Sequence, residues 1–151
     1  MNPMESLAIQ AEWTARNLAY NLDFIPADKL AWKPAPTAKS ALEIVNHTAG
    51  AFKGMQPVLS GGSYGPAPFA PATTAAEARE LIVGAATEYA AALRALSPED
   101  LGKTVQLPFG TFPLGRCATF PVFDVMHHHG QIAYIQTLLG DTEDHFDMSA
   151  L

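Results

Sequence analysis

The stretch VFDVMHHHGQIAYIQTLLG, residues 122–140, decides both how the chain folds and where its chemistry sits. Val125, Ile132, Ile135 and Leu139 recur at the three- and four-residue steps of one helix face. Pro121 falls in a first turn, where its missing N–H costs nothing, and Gly140 stands where a C-terminal cap belongs. The pattern predicts a helix from about Thr119 to Leu139. Inside it lie three consecutive histidines, His127, His128 and His129. Successive side chains on a helix point about 100° apart, so the three cannot share one ion. The apolar stripe selects His128 for the core, with His127 and His129 on either side. Asp124 stands one turn before His128, and an i,i+4 pair shares a face with Cβ atoms about 5–6 Å apart.

Working outward, Met4, Ala8, Ala11, Ala15, Leu18, Leu22 and Ile25 form an apolar seam with bundle-like spacing, ended by Pro26. The proline-rich run 26–39 reads as a connection. Ser40 and Glu43 form a capping box, which predicts a second helix from Ala41 to about Leu59, with Pro57 kinking or closing its last turn. Residues 60–73 read as a long loop. Thr74 and Glu77 form a second capping box, opening a third helix with Ala78, Leu81, Ala85, Tyr89, Ala92 and Leu96 on its seam. Residues 102–118 read as irregular, and the acidic tail 141–151, with an exposed His145, as loosely held. Four long helices without convincing strand pairs predict an all-α fold, a four-helix bundle in one domain spanning 1–151. The connections, roughly 14 to 20 residues, exceed the span of about 2–8 usual between antiparallel bundle neighbours. A crossover, or loops that shape a site, is expected.

In the second helix, Ile44, Ala51 and Val58 mark a seam on which His47 also falls, although that helix is apolar on more than one side. A single histidine on such a seam is usually a packed residue bonded to a carbonyl, and an Asp–His pair is usually a local hydrogen bond. Together, two histidines and a carboxylate on inward seams need a common partner, because burying each alone costs about 2–7 kcal/mol. A divalent cation satisfies all three. The expected ligands are therefore His47, Asp124 and His128. Three protein ligands leave a coordination position open, and this set suits Zn²⁺, Ni²⁺, Fe²⁺ or Mn²⁺. His127 and Gln131 are the candidate catalytic groups, His127 as a hydrogen-bond donor behind the ligands or a proton carrier, unless it is a partly exposed packing residue, and Gln131 as the residue that orients a ligand or water. His129 is expected at the solvent or an interface, Trp32 in loop packing or a pocket wall, and Cys117 in packing.

Composition narrows the partners. Hydrophobic residues make up 48% and charged ones 16% of the chain, a globular balance. The formal net charge of −6 and the absence of any basic run argue against a nucleic-acid or anionic-membrane surface. One cysteine allows no internal disulfide and fits a reducing compartment. The N-terminal stretch has no basic region of a signal peptide, and no apolar run is long enough to span a membrane, so a cytoplasmic location is expected. Asn46-His47-Thr48 matches a glycosylation sequon but falls within the second helix.

FDVMHHHGQIAYIQTLLGD resembles the last bundle helix of the DinB/YfiT-like family, whose members are read as metalloenzymes. LAWKPAPTAKSALEIVNH resembles that family's approach to its first metal ligand: a Trp-Lys-Pro loop, a serine at a helix start, and a histidine seven residues on. The resemblance implies an up-down-down-up four-helix bundle, often a homodimer, with a divalent metal held by His47 and by the i,i+4 pair Asp124 and His128. Many members carry histidine where this chain has Asp124, which bears on metal identity and retention. The resemblance also implies a small-molecule substrate, since members include transferases and isomerases that use low-molecular-weight thiols such as bacillithiol, mycothiol or glutathione. Hydrolysis at the same open site is the other expected chemistry. The alternative is a non-catalytic dimeric bundle that binds a ligand or partner, with Asp124–His128 as a structural pair.

Overall fold

The computed structural model describes residues 2–150. Four long helices carry the fold: α1 (Pro3–Asn21), α2 (Ala41–Leu59), α3 (Ala75–Arg94) and α5 (Phe120–Leu138), with α4 (Leu114–Cys117) a single turn before the last. Each long helix packs against two others, α1 and α2 both touching α3 and α5. The cyclic order is thus α1, α3, α2, α5, which places α2 beside α5. No helix among the described residues is long and apolar enough to cross a membrane.

The helix ends follow local chemistry. The Asn2 side chain accepts from the Met4 N–H at 3.0 Å, and Pro3 occupies the first turn of α1. The helix stops at Asn21, and a 3₁₀ turn, Leu22–Phe24, carries the chain to Pro26. The seam from Met4 to Ile25 is nevertheless buried throughout. Both capping boxes form: Ser40 Oγ accepts from the Glu43 N–H at 3.2 Å and Glu43 accepts from the Ser40 N–H at 2.9 Å, with Thr74 and Glu77 paired the same way. Gly140, at φ +99°, closes α5. Its N–H bonds Thr137 O, and the Asp141 N–H bonds Gln136 O, the two bonds of a Schellman cap.

Three expectations need correcting. Residues 102–118 are not irregular: β1 (Thr104–Leu107) and β2 (Gly110–Pro113) pair antiparallel, Leu107 opposite Gly110. A two-residue link carrying Pro108 and Phe109 joins them, and Gly110 takes φ +149°, where a Cβ would lie 2.9 Å from the Phe112 ring. The hairpin is stable here because it is not alone: Leu107 is buried, and Val105 and Phe112 pack on the core. On α3 the buried stripe includes Ile82, Ala86 and Leu93, while Leu81 and Ala92 are only half-buried. That helix is wedged between α1 and α2, so its buried face is wider than one seam. The tail is held, not loose. Asn21 Nδ2 donates to His145 O at 2.6 Å, and the Asp147 N–H donates to Asn17 Oδ1 at 2.8 Å. His145 is mostly covered, stacked on Phe24 and paired with Asp141 at 2.8 Å.

The loop 60–73 lies back along α2. Asn46 takes both backbone groups of Ala72, accepting from its N–H at 2.8 Å and donating to its carbonyl at 3.1 Å. The sequon asparagine is thereby committed to the fold. At Gly54 a Cβ would come within 2.8 Å of the Gly65 carbonyl oxygen, so only glycine lets the loop lie this close. Gly54→Ala is expected to lower the unfolding free energy by about 1–3 kcal/mol, as overpacking does. Urea denaturation checks this, and an unchanged midpoint would show that the loop does not press on α2.

Candidate metal centre

α2 and α5 bring His47, Asp124 and His128 together, with one ligand atom from each within 4.8 Å of the others. Asp124 and His128 meet because they are one turn apart on α5; His47 meets them only because α2 packs against that helix. Asp124 Oδ1 lies 3.6 Å from His128 Nε2, and Asp124 Oδ2 lies 3.7 Å from His47 Nε2. Both separations are too long for hydrogen bonds. The two imidazoles stand edge to face, centroids 4.8 Å apart. His128 is 6% exposed, as the stripe predicts. The side chains of Asp124 and His47 are 31% and 47% exposed. His47 is therefore not in the core. Ile44, Val45, Thr48, Ala49 and Phe52 fill the buried face of α2, and His47 stands at its edge, turned to α5. The open side of the cluster is the solvent side of His47.

Gln131 sets the protonation pattern. Its side-chain oxygen can only accept, and it lies 2.7 Å from His128 Nδ1, so that nitrogen carries the proton. The His128 Nε2 lone pair then faces the Asp124 carboxylate. The other end of the amide donates to His127 Nε2 at 3.2 Å, which leaves the His127 proton on Nδ1. One glutamine thus orients two neighbouring imidazoles. Burial pushes the His128 pKa below the usual histidine value, outweighing the Gln131 bond and the Asp124 charge, which act in the opposite direction.

The arrangement fits a cation on the chemistry of its donors. His128 Nε2 and Asp124 Oδ1 are two acceptors facing one another. Asp124 Oδ2 is fully buried and has no hydrogen-bond partner. An unpartnered buried carboxylate oxygen is costly, and a divalent ion among these three groups removes that cost.

The other candidates separate from the centre. His129 is half-buried beside Phe146, ring centroids 5.5 Å apart, rather than solvated. Its Nε2 has no partner, and burial pushes its pKa down. Trp32 packs on the core. Cys117 is fully buried and its thiol pKa is raised by burial, so it is a packing residue. His127 is exposed and stands between two cavities. One, of about 740 Å³, lies between the start of α5 and α1 and reaches Asp124. The other, of about 500 Å³, lies between α5 and the 34–39 connection, with Lys39 and Gln131 in its wall. Sequence reasoning missed Leu7, Gln10, Lys39 and Arg116 as lining residues, because no local pattern relates them to residues of α5.

The DinB superfamily profile matches residues 10–132, and the chain belongs to that family. Among solved structures, the crystal structure of a DinB-like protein, YjoA, from Bacillus subtilis superimposes with a TM-score of 0.73 at 22% identity, covering 96% of each chain. At that identity the likeness establishes the shared fold. No curated protein matches the sequence.

The depressed His128 pKa carries a sign for stability. The unfolded state, with its histidine near 6.5, takes up the proton first. Stability of the metal-free protein is therefore full above about pH 6.5 and falls as the pH drops toward the lower folded value. NMR titration of the metal-free protein is expected to put the His128 midpoint below about 6.5; a midpoint above that value would contradict the burial seen here.

Proposed function

We propose that this protein is a divalent-metal-dependent enzyme acting on a small molecule, with His47, Asp124 and His128 as metal ligands. The observation that carries the reading is the meeting of His47, Asp124 and His128, with one carboxylate oxygen of Asp124 buried and without a partner. The family is metal-binding in general, which agrees. A divalent ion held there would supply Lewis acidity, lowering the pKa of a thiol or water bound to it.

The chain's own residues do the rest. Gln131 is a positioning residue: it fixes the His128 tautomer and ring angle, as partners of ligating histidines commonly do. His127 holds its proton at Nδ1 at the junction of the two cavities, where it serves as proton carrier. The half-exposed side of His47 leaves the centre open to a ligand. Two cavities meeting at His127 favour group transfer, with a low-molecular-weight thiol as one substrate, over hydrolysis, which needs room for one organic molecule. The four helices are read as an up-down-down-up bundle. A homodimer is read from the end of α5, where the apolar Leu138 is exposed outside both cavities.

Purified without chelator, or reloaded, the wild-type protein is expected to hold one divalent ion per chain by elemental analysis, and His47→Ala and His128→Ala to lose it. Gln131→Ala is expected to weaken metal affinity by about 10–100-fold while leaving the ligands in place. A wild-type protein that neither retains nor takes up stoichiometric metal returns Asp124–His128 to a structural pair and overturns the enzyme reading. Turnover of a thiol-plus-electrophile panel, against ester and amide panels, separates transfer from hydrolysis. Light scattering is expected to report a dimer, and Leu138→Glu a monomer; a monomeric wild type removes the dimer.

A further inference from the structure

The larger cavity has a composition that selects a ligand. Leu7 of α1 and Phe120, Val122, Phe123 and Met126 of α5 make most of its wall. Asp124 and His127 border it on the side of the metal centre. Its one formal cation is Arg116, on α4. Arg79 is paired with Asp23, and Arg94 with Glu5 and Glu12; among the described residues Arg16 and Arg116 make no ion pair and no side-chain hydrogen bond, and of these two only Arg116 borders the cavity. In a chain of net charge −6, a guanidinium beside an apolar cavity with no carboxylate partner is an available anion anchor.

Its base is rigid. Leu114 and Cys117 on either side are buried, and the Leu114 N–H bonds Lys103 O at 2.7 Å. A Cβ at Gly115 would lie 3.3 Å from Leu101, so the turn is pressed against its support. Thr119 Oγ donates to Arg116 O at 2.9 Å, tying α4 to the start of α5. Gln10 and Thr119 add neutral polar groups to the wall.

We propose that this cavity binds a small carboxylate with an apolar body, its carboxylate on Arg116, its body against Leu7, Phe120 and Met126, and its reacting end toward Asp124 and His127. This deepens the proposed function by giving the class of the second substrate, and it rests on that reading for the direction of the reacting end alone. Anion recognition itself needs no metal, so the two can fail separately.

The test is equilibrium binding to the metal-free full chain, by NMR titration, with 4-phenylbutyrate as the probe and 4-phenylbutyramide as its uncharged twin. The acid is expected to bind saturably, to shift the methyl signals of Leu7, Val122 and Met126, and to bind more tightly than the amide. Arg116→Gln, at an exposed position, is expected to weaken the acid by about tenfold, the scale of one charged hydrogen bond, and to leave the amide unchanged. Met126→Glu, which adds a carboxylate to the wall, is expected to abolish binding of the acid while the helical circular dichroism stays native. Equal affinity for acid and amide, unchanged affinity in Arg116→Gln, shifts that map elsewhere, or no saturable binding would each overturn the proposal. The metal content of the same preparations, measured separately, reports on the metal centre alone.

Discussion

The packing of α2 against α5 is the constraint on which the rest depends. Asp124 and His128 are neighbours by helical geometry, but that pair alone is an ordinary i,i+4 contact. It becomes a three-group cluster only when His47 is carried up to it on a second helix. The cyclic order α1, α3, α2, α5 makes that happen, and the core keeps it in place: Phe52 of α2 stands against Tyr89 of α3, and the Tyr89 hydroxyl donates to Ala118 O just before α5. The buried stripes hold the helices together, and the cluster sits at the edge of the stripe on α2, where a ligand can still enter.

Two kinds of residue serve this centre. Asp124, His128 and His47 each bring one ligand atom within 4.8 Å of the others. Gln131 determines which nitrogen of His128 is that atom, and spends its other end on His127. An amide is suited to this because it has one accepting and one donating end on a short side chain. The cost of the arrangement is visible at Asp124 Oδ2, buried and unsatisfied. That cost is what a cation held by the three groups, as proposed above, would remove.

The loops have their own logic. The long connections read from the sequence are used to cover and shape the molecule. The run 60–73 lies along α2, held by Asn46 and admitted by Gly54. The 34–39 connection walls one cavity, and α4, following the hairpin, places Arg116 at the other. The C-terminal tail is tied to α1 through Asn17 and Asn21. Each of these contacts joins residues far apart in the chain.

That separation is what divides the legible from the illegible. The four long helices, and the ends set by caps, were readable because their causes are local: Ser40 with Glu43, Thr74 with Glu77, and Gly140 after α5; the end of α1, read at Pro26 and found at Asn21, was not. The choice of His128 over its neighbours was readable for the same reason, since 100° per residue is a property of the helix alone. The hairpin was not, because four-residue strands draw their stability from the core beneath Leu107 and not from their own pattern. Nor was the tail, whose tethers lie on α1, nor the exposed edge position of His47, since α2 is apolar on several sides. By itself the sequence determined which long segments become helices and which side chain of the histidine run turns inward. Only the tertiary structure decided that His47, Asp124 and His128 meet, that Gln131 sets the tautomers, and that Arg116 faces a cavity, because these depend on which helices become neighbours, and helix neighbours are chosen by packing across the whole core.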